Sequence, residues 1–485
     1  MSNRVLAFDF GASSGRAIIG QIVDGKLIYR EIHRFPNGGV MRDGHLYWEF
    51  DRLFQEIKNG ILKAKADGGF DAIGIDTWGV DYGFIGKNGE LLAQPYCYRD
   101  TRTEEAFDEV LKKVDASTLY KHTGIQLMRI NTVFQMYASK MEGGAYNEAE
   151  TMLFIPDLFA YMLTGKKACE YTIASTSEMI NPVTGEWDKE LLETLGIRTD
   201  ILPEIIDSGA IYGNLKAELC EELGVPSVPV VAVCGHDTGS AVVAVPAVSD
   251  DFCYISCGTW SLMGLELDKP LLTEMSEKLN FTNEGGYGRT TRFLKNIMGL
   301  WIIQECRRNW KEQGKDMSFG EIMQEAEKAE SVAYIDPDCA DFEVPCDMPE
   351  MIKAYCKKTA QRVPETIGEI ARCVYESLAL KYRYTVESLE KLTGKKYSTI
   401  NIIGGGGQNT MLCKLTADIC ERKVVAGPFE ATAVGNMAVQ LKALGELETL
   451  SDIRKLVMDS EDVKTYEPTG STAYDYDKFL SLMKD

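Results

Sequence analysis

Residues 4–23 read Arg-Val-Leu-Ala-Phe-Asp-Phe-Gly-Ala-Ser-Ser-Gly-Arg-Ala-Ile-Ile-Gly-Gln-Ile-Val. The apolar run of residues 4–10 predicts a buried strand, and residues 11–15 supply a turn of small side chains. Residues 16–23 are apolar and rich in β-branched side chains, which predicts a returning strand. Successive backbone amides in such a turn can surround a phosphate group.

The segments that follow extend this unit. Asp24-Gly25 is a hairpin turn signal, and residues 26–35 alternate as a third strand does. Apolar residues recur at helical spacing over residues 50–62, and residues 70–76 then read as a short buried strand. The predicted order is three meandering strands, a helix and a strand.

A similar order recurs in the second half of the chain. Residues 253–256 predict a strand, Cys257-Gly-Thr-Trp-Ser a turn, and residues 262–267 the returning strand. The elements predicted after these are a strand at 286–293, helices at about 297–312 and 366–392, a strand at 398–403, a helix at 409–421, a strand at 423–426 and a helix at 430–444. Two halves with the same opening unit indicate duplication.

The length of 485 residues is too great for one ordinary core and favours two domains. The expected divide lies near residues 245–252, where Val-Pro-Ala-Val-Ser-Asp-Asp breaks both periodicities. We therefore predict an N-terminal domain over 1–247, a C-terminal domain over 248–450 and an extension over 451–485.

The composition is that of a globular protein, with 45% apolar and 26% charged residues. No run approaches the roughly 18 apolar residues of a membrane span, and Asp9 interrupts the first apolar stretch too early for a signal peptide. A net charge of −21 argues against nucleic acid and membrane partners. The thirteen scattered cysteines form no Cys-x-x-Cys pair, which favours reduced thiols in a cytoplasmic enzyme; pairing of Cys356 with Cys373 stays open.

Asp9 stands at the end of the first strand, where its carboxylate is placed to hold a hydrated Mg²⁺. The alternative is a plain hairpin, because glycine and serine are common in turns. Asp9-Phe-Gly also matches the metal motif of protein kinases. That motif needs a glycine-rich loop and a catalytic loop earlier in the chain, and only eight residues precede Asp9 here. Gly11-Ala-Ser-Ser-Gly matches a hydrolase nucleophile elbow, but a strand follows here where that motif requires a helix.

Two further motifs favour nucleotide binding. Ser256-Cys-Gly-Thr-Trp-Ser repeats the strand–turn–strand chemistry, and two such turns would hold a polyphosphate from both sides of a cleft. Ile402-Ile-Gly-Gly-Gly-Gly-Gln-Asn lies between a strand and a helix, and its glycines let the backbone lie flat against adenosine. A dinucleotide-binding turn would need an acidic residue that residues 424–428 lack, and no Walker A loop is present.

Asp237 lies in Gly235-His-Asp-Thr-Gly-Ser, directly after the apolar strand 228–233. Phosphoryl transfer to an alcohol needs positioning, charge stabilisation and one carboxylate that accepts the hydroxyl proton. Asp237 suits that role; alternatively it caps a helix that starts near Gly239. His236 is a candidate to bind a sugar hydroxyl.

A second strand-end motif is Gly74-Ile-Asp-Thr-Trp-Gly-Val-Asp-Tyr-Gly. Asp76, Thr77, Trp78 and Asp81 combine hydrogen-bond acceptors with an aromatic face, as a sugar site requires. The competing interpretation is a buried structural turn.

Together these motifs resemble the FGGY carbohydrate kinases, which share the fold of sugar kinases, actin and Hsp70. The matches extend over nearly the whole chain and include Lys295-Asn-Ile-Met-Gly-Leu-Trp, Tyr98-Arg-Asp-Thr-Arg and Ala426-Gly-Pro-Phe-Glu-Ala. The resemblance implies an α/β protein of two duplicated RNase H-like domains with a cleft between them.

The resemblance also implies roles for individual residues. Asp237 corresponds to the proton acceptor; the implied sugar contacts are Gly79, His236, Asp237, Thr238 and Asn296, and the implied ATP contacts are Ala12, Ser13, Ser14, Gly15, Arg16, Thr259, Gln304 and Gly405. It implies Mg²⁺ near Asp9 and transfer of the γ-phosphoryl group of ATP to the 1-hydroxyl of L-rhamnulose, in rhamnose catabolism. Asn296 and Gln304 come from the resemblance alone.

Two alternatives stay open at this point. The acceptor could be another ketose, such as L-fuculose or D-xylulose. More remotely, the chain could be an ATPase like actin or Hsp70, although few residues after Leu450 remain for a peptide-binding domain. The expected oligomeric state is a monomer or a homodimer.

Overall fold

The computed structural model describes residues 2–247, 249–471 and 474–483. The chain forms two compact units, each built from separate stretches of sequence. Unit 1 comprises Met1–Ala244, Glu266–Phe293 and Ala431–Ser460, and unit 2 comprises Val245–Leu265, Leu294–Glu430 and Glu461–Asp485. Among the described residues, no helix combines the length and apolar character that a membrane crossing requires.

The secondary structure alternates between strands and helices. The strands are β1 (Val5–Phe10), β2 (Ser14–Val23), β3 (Lys26–Pro36), β4 (Val40–Arg42), β5 (His45–Tyr47), β6 (Ala72–Thr77), β7 (Tyr82–Ile85), β8 (Thr151–Phe154), β9 (Ala168–Glu170), β10 (Ile180–Asn181), β11 (Glu186–Trp187), β12 (Glu204–Ile206), β13 (Ile211–Asn214), β14 (Pro229–Val231), β15 (Phe252–Cys257), β16 (Trp260–Leu267), β17 (Thr282–Gly285), β18 (Thr291–Met298), β19 (Thr399–Ile403), β20 (Lys423–Ala426) and β21 (Lys464–Tyr466).

The α-helices are α1 (Phe50–Ala66), α2 (Thr103–Lys113), α3 (Ala116–Thr123), α4 (Thr132–Glu142), α5 (Ala145–Glu148), α6 (Ile155–Thr164), α7 (Tyr171–Ala174), α8 (Lys189–Leu195), α9 (Ala217–Leu223), α10 (Asp237–Val243), α11 (Glu274–Lys278), α12 (Trp301–Glu312), α13 (Phe319–Lys328), α14 (Met348–Lys358), α15 (Ile367–Thr393), α16 (Thr410–Cys420), α17 (Ala431–Ala443), α18 (Leu450–Ser460) and α19 (Tyr476–Leu482). Short 3₁₀ helices lie at Ser175–Ser177, Tyr287–Arg289, Ala340–Phe342 and Gly405–Gln408.

The main sheet of unit 1 has the strand order β13-β14-β6-β1-β2-β3. Strand β1 is buried along its whole length, which explains its apolar sequence, and it pairs antiparallel with β2 and parallel with β6. The register places Asp9 opposite both Arg16 and Asp76. Two carboxylates therefore end adjacent parallel strands.

The sheet centred on β15 repeats this arrangement. Its order is β17-β18-β16-β15-β19-β20-β21, and β15 pairs antiparallel with β16 and parallel with β19. The series β18-β16-β15-β19-β20 thus corresponds to β3-β2-β1-β6-β14 in unit 1. The repeated topology confirms the duplication that the two opening units predicted.

Helix α17 belongs to unit 1. Residue 248, where the sequence predicts that the C-terminal domain starts, lies outside the described residues. A Cβ on Gly74 of β6 would lie 2.6 Å from Oδ1 of Asn436 on α17, so the helix sits directly on the strand. Helix α18 lies in unit 1, and β21 pairs with β20 in unit 2.

The strand predicted at 286–293 is wrong in position. Residues 287–289 form a 3₁₀ turn in which Gly288 and Arg289 both have positive φ, and the strand β18 begins only at Thr291. The following helix accordingly starts at Trp301 and not near 297. A left-handed backbone pair cannot continue a β ladder, so the turn displaces the strand.

The thirteen cysteines are all free thiols. Cys356 on α14 and Cys373 on α15 are both buried. The interaction between their thiols lowers the pKa of Cys356 and raises the pKa of Cys373. The pair is therefore close, in its reduced form.

Candidate active site

The loop between β14 and α10, together with the first two residues of α10, carries three of the predicted sugar contacts, and Glu170 holds the loop in place. Glu170 is fully buried, and its Oε2 accepts hydrogen bonds from the backbone N–H of Gly235 at 2.9 Å and the hydroxyl of Thr172 at 2.6 Å. Its Oε1 accepts from the hydroxyl of Ser208. Because protein donors occupy both oxygens, the loop is fixed by the protein itself.

Asp237 is the first residue of α10 and keeps an accessible carboxyl group. The helix begins at this residue, with His236 as its N-cap, so Asp237 is not the cap that the alternative interpretation required. One third of its side chain (33%) is exposed. Burial of the remainder raises the pKa of Asp237; His236 opposes this shift and Asp9 adds to it. A raised pKa makes the carboxylate a better proton acceptor.

Thr238 follows Asp237 and supports it. Its side chain is buried, and its hydroxyl donates a hydrogen bond to Oδ1 of Asp237 at 3.1 Å. The same oxygen accepts the backbone N–H of Thr238. Both bonds orient the carboxyl group, and Oδ2 is the oxygen that these bonds leave for a ligand.

Gly79 lies beside His236, although the two are far apart in sequence. A Cβ at Gly79 would lie 3.4 Å from Nε2 of His236 and 3.3 Å from Oγ1 of Thr176. The backbone N–H of Thr77 donates to the carbonyl of Gly235 at 2.9 Å, which ties the end of β6 to the loop. Unit 1 therefore brings the predicted sugar contacts Gly79, His236, Asp237 and Thr238 together.

Val80 has a strained backbone next to this group. Its φ of 69° is rare for a β-branched residue and costs on the order of 1–3 kcal/mol. Its N–H donates to Oγ1 of Thr176 at 3.1 Å, and its carbonyl accepts the hydroxyl of Thr132 at 2.7 Å. Strain that neighbours impose in this way is typical of binding sites.

Asp81 is a structural residue and not an available sugar acceptor. Its Oδ2 accepts the indole N–H of Trp48 at 2.6 Å, that of Trp78 at 3.0 Å and the backbone N–H of Tyr98 at 3.0 Å. Its Oδ1 accepts from Nε2 of Gln135 at 2.9 Å. Burial raises the pKa of Asp81 to about 6 against these donors. The interpretation of a buried turn therefore holds for this residue.

Asp9 and Arg16 form an ion pair across β1 and β2. Oδ2 of Asp9 accepts from Nε of Arg16 at 3.0 Å and from Nη2 at 2.8 Å. On β6, Asp76 is fully buried and accepts Nδ2 of Asn436 on Oδ2, while its Oδ1 has no hydrogen-bond partner among the described residues. Burial, and next the charge of Asp9, raise the pKa of Asp76 well above its usual range.

Asp9 and Asp76 suit a hydrated Mg²⁺ ion, which needs only one or two protein carboxylates, better than an ion that protein side chains alone surround. Among the residues that the structure describes, no group of three or more His, Cys, Asp or Glu side chains is arranged to hold a metal ion. Mg²⁺ is commonly held by one or two carboxylates together with phosphate and water. Asp9, with Asp76 beside it, meets that requirement.

The turn of residues 11–14 is closed by one backbone hydrogen bond of 2.9 Å between its first and last residues. It leaves Ser13 exposed and Ala12 half-buried, as a phosphate-binding turn needs. Gly15 has a different reason to be glycine, because a Cβ there would lie 2.3 Å from the ring of Phe35.

The corresponding turn of unit 2 contacts helix α12. The hydroxyl of Thr259 donates to Oε1 of Gln304 at 3.3 Å. The carbonyl of Thr259 accepts the N–H groups of Gly299 and Trp301, each at 3.1 Å. Unit 2 thus brings two of the predicted nucleotide contacts together, although 45 residues separate them.

The late glycine run packs against Cys257. A Cβ on Gly404, whose φ is 82°, would lie 3.2 Å from the carbonyl oxygen of Cys257, and one on Gly406 would lie 2.1 Å from its Sγ. Gly405 is exposed and has open space beside it. Its backbone without a side chain is the flat surface predicted for adenosine. The neighbouring Gly404 and Gly406 are glycine because a Cβ there would collide with Cys257. Asn296, the remaining predicted sugar contact, is half-buried on β18 in unit 2.

Sequence reasoning missed the residues that support the site. Arg292 contacts His236, Glu284 contacts Arg292, Glu170 holds the loop and Asn436 holds Asp76. The available signal was a charged residue directly before an apolar pair, as Arg292 stands before Phe293 and Leu294 in β18. That signal does not identify a partner far away in sequence.

The duplicated sheets, with Asp237 at the start of α10 after β14, fit a sugar kinase. Residues 4–244 match the N-terminal domain, and residues 253–444 the C-terminal domain, of the FGGY family of carbohydrate kinases. The chain belongs to this family and is a sugar kinase. The RNase H-like α/β fold predicted from the sequence is confirmed.

Individual relatives are similar over nearly their whole length. A rhamnulokinase from Bacteroides thetaiotaomicron is 43% identical over 478 residues, which cover 98% of each chain. One from Halalkalibacterium halodurans is 43% identical and covers 96% of this chain and 98% of its own. The structure of a ligand-bound xylulose kinase from Lactobacillus acidophilus superposes with a TM-score of 0.82 at 18% identity, covering 99% of this chain and 97% of that one. The last likeness shows the fold alone.

Proposed function

We propose that this enzyme transfers the γ-phosphoryl group of ATP to O1 of L-rhamnulose, giving L-rhamnulose 1-phosphate and ADP. The observation that carries the proposal is the accessible carboxyl group of Asp237, with a raised pKa, beside His236 and Gly79. The choice of sugar is supported by the rhamnulokinases that are 43% identical over nearly the full chain.

Asp237 accepts the proton of the sugar hydroxyl as the oxygen attacks the γ-phosphorus. The bond from that phosphorus to the β–γ bridging oxygen breaks, and ADP leaves with that oxygen. Gly79, His236 and Thr238 position the sugar, and Asn296 is a further proposed sugar contact. Such transfers depend mainly on positioning and on charge stabilisation, which a fixed loop provides.

The proposed nucleotide contacts are the turn residues Ala12, Ser13, Ser14 and Gly15 together with Arg16, and also Thr259, Gln304 and Gly405. Asp9 would hold Mg²⁺, which when bound neutralises charge on the phosphates. The ion pair with Arg16 keeps Asp9 in place at the strand end.

A panel of ketoses tests the choice of substrate. ADP formation is measured with Mg-ATP and L-rhamnulose, L-fuculose or D-xylulose, and kcat/KM is expected to be highest for L-rhamnulose. A higher kcat/KM for another ketose would show that the other ketose is the preferred substrate and would refute the choice of L-rhamnulose. ATP hydrolysis that no sugar changes would favour the ATPase alternative.

Asp237→Asn tests the proton acceptor. The amide cannot accept the proton, so kcat is expected to fall by roughly 10²–10⁴-fold while calorimetry shows unchanged ATP affinity. The matched control is Asp108→Asn at an exposed position of α2, which should keep wild-type kinetics. Turnover close to wild type in Asp237→Asn would refute the assignment.

The proposed setting is the cytoplasm, in line with thirteen free thiols, and the proposed assembly is a monomer or a homodimer. Light scattering after size-exclusion chromatography distinguishes the two assemblies. A larger particle would contradict both.

A further inference from the structure

Arg292 is a fully buried arginine next to the proposed sugar site, and the mechanism above does not use it. Its Nε donates to the carbonyl of Gly285 at 2.8 Å, and Nη2 lies 3.0 Å from Nδ1 of His236. Its Nη1 lies 3.1 Å from Oε2 of Glu284 as an ion pair. A buried guanidinium is tolerated only when it is paired in this way, so each contact constrains its partner.

The contact with Arg292 determines where the proton of His236 lies. A guanidinium has donors and no acceptor, so Nδ1 must offer its lone pair to Nη2. A neutral imidazole with a free Nδ1 carries its proton on Nε2. The shortest contact of Nδ1 therefore favours the Nε2–H tautomer.

Glu284 offers the competing arrangement. Its Oε2 lies 3.3 Å from Nδ1 and would accept a proton placed there. Burial works to raise the pKa of Glu284, but the charge of Arg292 holds it below its usual value. The carboxylate is thus ionised and neutralises Arg292, which lies closer to it than the imidazole does.

The other ring nitrogen, Nε2, lies next to two of the proposed sugar contacts, Asp237 and Gly79. Nε2 of His236 lies 3.5 Å from Oδ1 of Asp237 and 3.4 Å from the Cβ position of Gly79. The charged groups around the ring are Arg292 from β18, Glu284 from β17 and Asp237 from α10, with Glu170 behind the loop at Gly235. A proton on Nε2 therefore lies within reach of an oxygen bound beside Gly79 and Asp237.

We infer that Arg292 is a positioning residue that holds His236 as a neutral imidazole with its proton on Nε2. This N–H then donates to an oxygen of the sugar beside Gly79. The identity of that sugar rests on the proposed function, whereas the tautomer does not. Arg292 thereby makes His236 a dedicated donor and leaves proton acceptance to Asp237.

Nitrogen-15 NMR of the imidazole rings tests the inference on the intact protein without any ligand. The chain has four histidines, so the His236→Gln variant assigns the signals of His236 by their loss. The expected result at neutral pH is a neutral ring protonated on Nε2. A ring protonated on Nδ1, or on both nitrogens, would overturn the inference.

A pair of variants tests the role of Arg292. In the double variant Arg292→Met with Glu284→Gln, both buried charges are removed together, so that neither is left unpaired. The Nε2–H preference of His236 should be lost and KM for the sugar should rise about tenfold, with ATP affinity unchanged. An unchanged tautomer would show that Arg292 is merely structural.

The single variant Arg292→Lys is the conservative companion. Lysine keeps the positive charge and one donor, so it should restore the Nε2–H tautomer and part of the lost sugar affinity. If no ketose is phosphorylated while the wild-type tautomer is as expected, the proposed function fails and the inference stands. The wild-type spectrum decides the tautomer even if a variant does not fold.

Discussion

Gly79 occupies the position directly in front of Nε2 of His236, and its lack of a side chain keeps that atom accessible. A methyl group there would stand 3.4 Å from Nε2 and 3.3 Å from Oγ1 of Thr176. Both distances are tight but tolerable, and the glycine φ is not positive. The residue therefore matters to a ligand more than to the fold.

Gly79→Ala is expected to raise KM for the sugar by at least about tenfold, because the methyl group displaces an oxygen from His236. The melting temperature should change little. Steady-state kinetics and thermal melting measure the two effects. The control is Gly38→Ala, where an added Cβ has no neighbour within 4 Å. Equal sugar KM in both variants would argue against a sugar beside Gly79.

The surroundings of Asp81 and Asp237 give these two aspartates different roles, one structural and one available to a ligand. Asp81 and Asp237 both lie in motifs with glycine, threonine and aromatic or histidine neighbours. Asp81 has donors on both oxygens, whereas Asp237 keeps a third of its side chain exposed. Sequence reasoning treated both as candidates, because hydrogen bonds from distant residues decide between them.

Helix α17 packs against helix α10 and strands β1 and β6 of unit 1. It is buried on nearly all sides, and its Gly435 meets helix α10 so closely that a Cβ would lie 1.8 Å from the carbonyl oxygen of Ser240. Its Asn436 holds Asp76, and Gln440 donates to the carbonyl of Leu6 at 3.2 Å. This helix therefore packs on the strand ends that carry the candidate site.

Gly435→Ala should lower the free energy of unfolding by about 3 kcal/mol or more, because backbone on α10 cannot yield to the methyl group. Urea denaturation measures the change. The matched control is Gly320→Ala on the exposed face of α13, where the nearest atom is 3.9 Å away and alanine should add roughly 0.5–1 kcal/mol. Equal stability of the two variants would contradict this close packing.

Element prediction succeeded where local periodicity and burial agree. Strands β1, β15 and β19 and helix α15 lie within a residue or two of their predicted ends. The strand β18 was misplaced because the positive φ values of Gly288 and Arg289 have no signal in hydrophobic patterning. Turn geometry of this kind becomes visible only in three dimensions.

At the scale of the molecule, buried carboxyl groups make the stability of the folded protein depend on pH. Glu178 is fully buried, and its Oε2 accepts Nδ2 of Asn131 at 2.8 Å. Burial raises the pKa of Glu178 from 4.5 to about 8. The folded protein therefore keeps a proton that the unfolded chain releases, and stability falls as pH rises between these two values.

Glu178→Gln removes this titration and should stabilise the protein increasingly with pH. The gain grows by up to about 1.4 kcal/mol per pH unit between the two pKa values and vanishes at the acidic end. Melting temperatures of variant and wild type across this range measure it. Glu221→Gln, at an exposed position of α9, should follow the wild-type curve. A constant difference between Glu178→Gln and wild type would contradict the buried titration.

The sequence by itself determined the class of fold, the duplication, the family and the motifs that contain the site. These follow from periodicity, turn residues and motif order, which are local properties of the chain. Only the tertiary structure decided that α17 belongs to unit 1, that both carboxyl oxygens of Asp81 accept hydrogen bonds, and that Arg292 contacts Nδ1 of His236. Those outcomes depend on contacts between distant residues, since burial and hydrogen-bond partners arise only when the chain is folded.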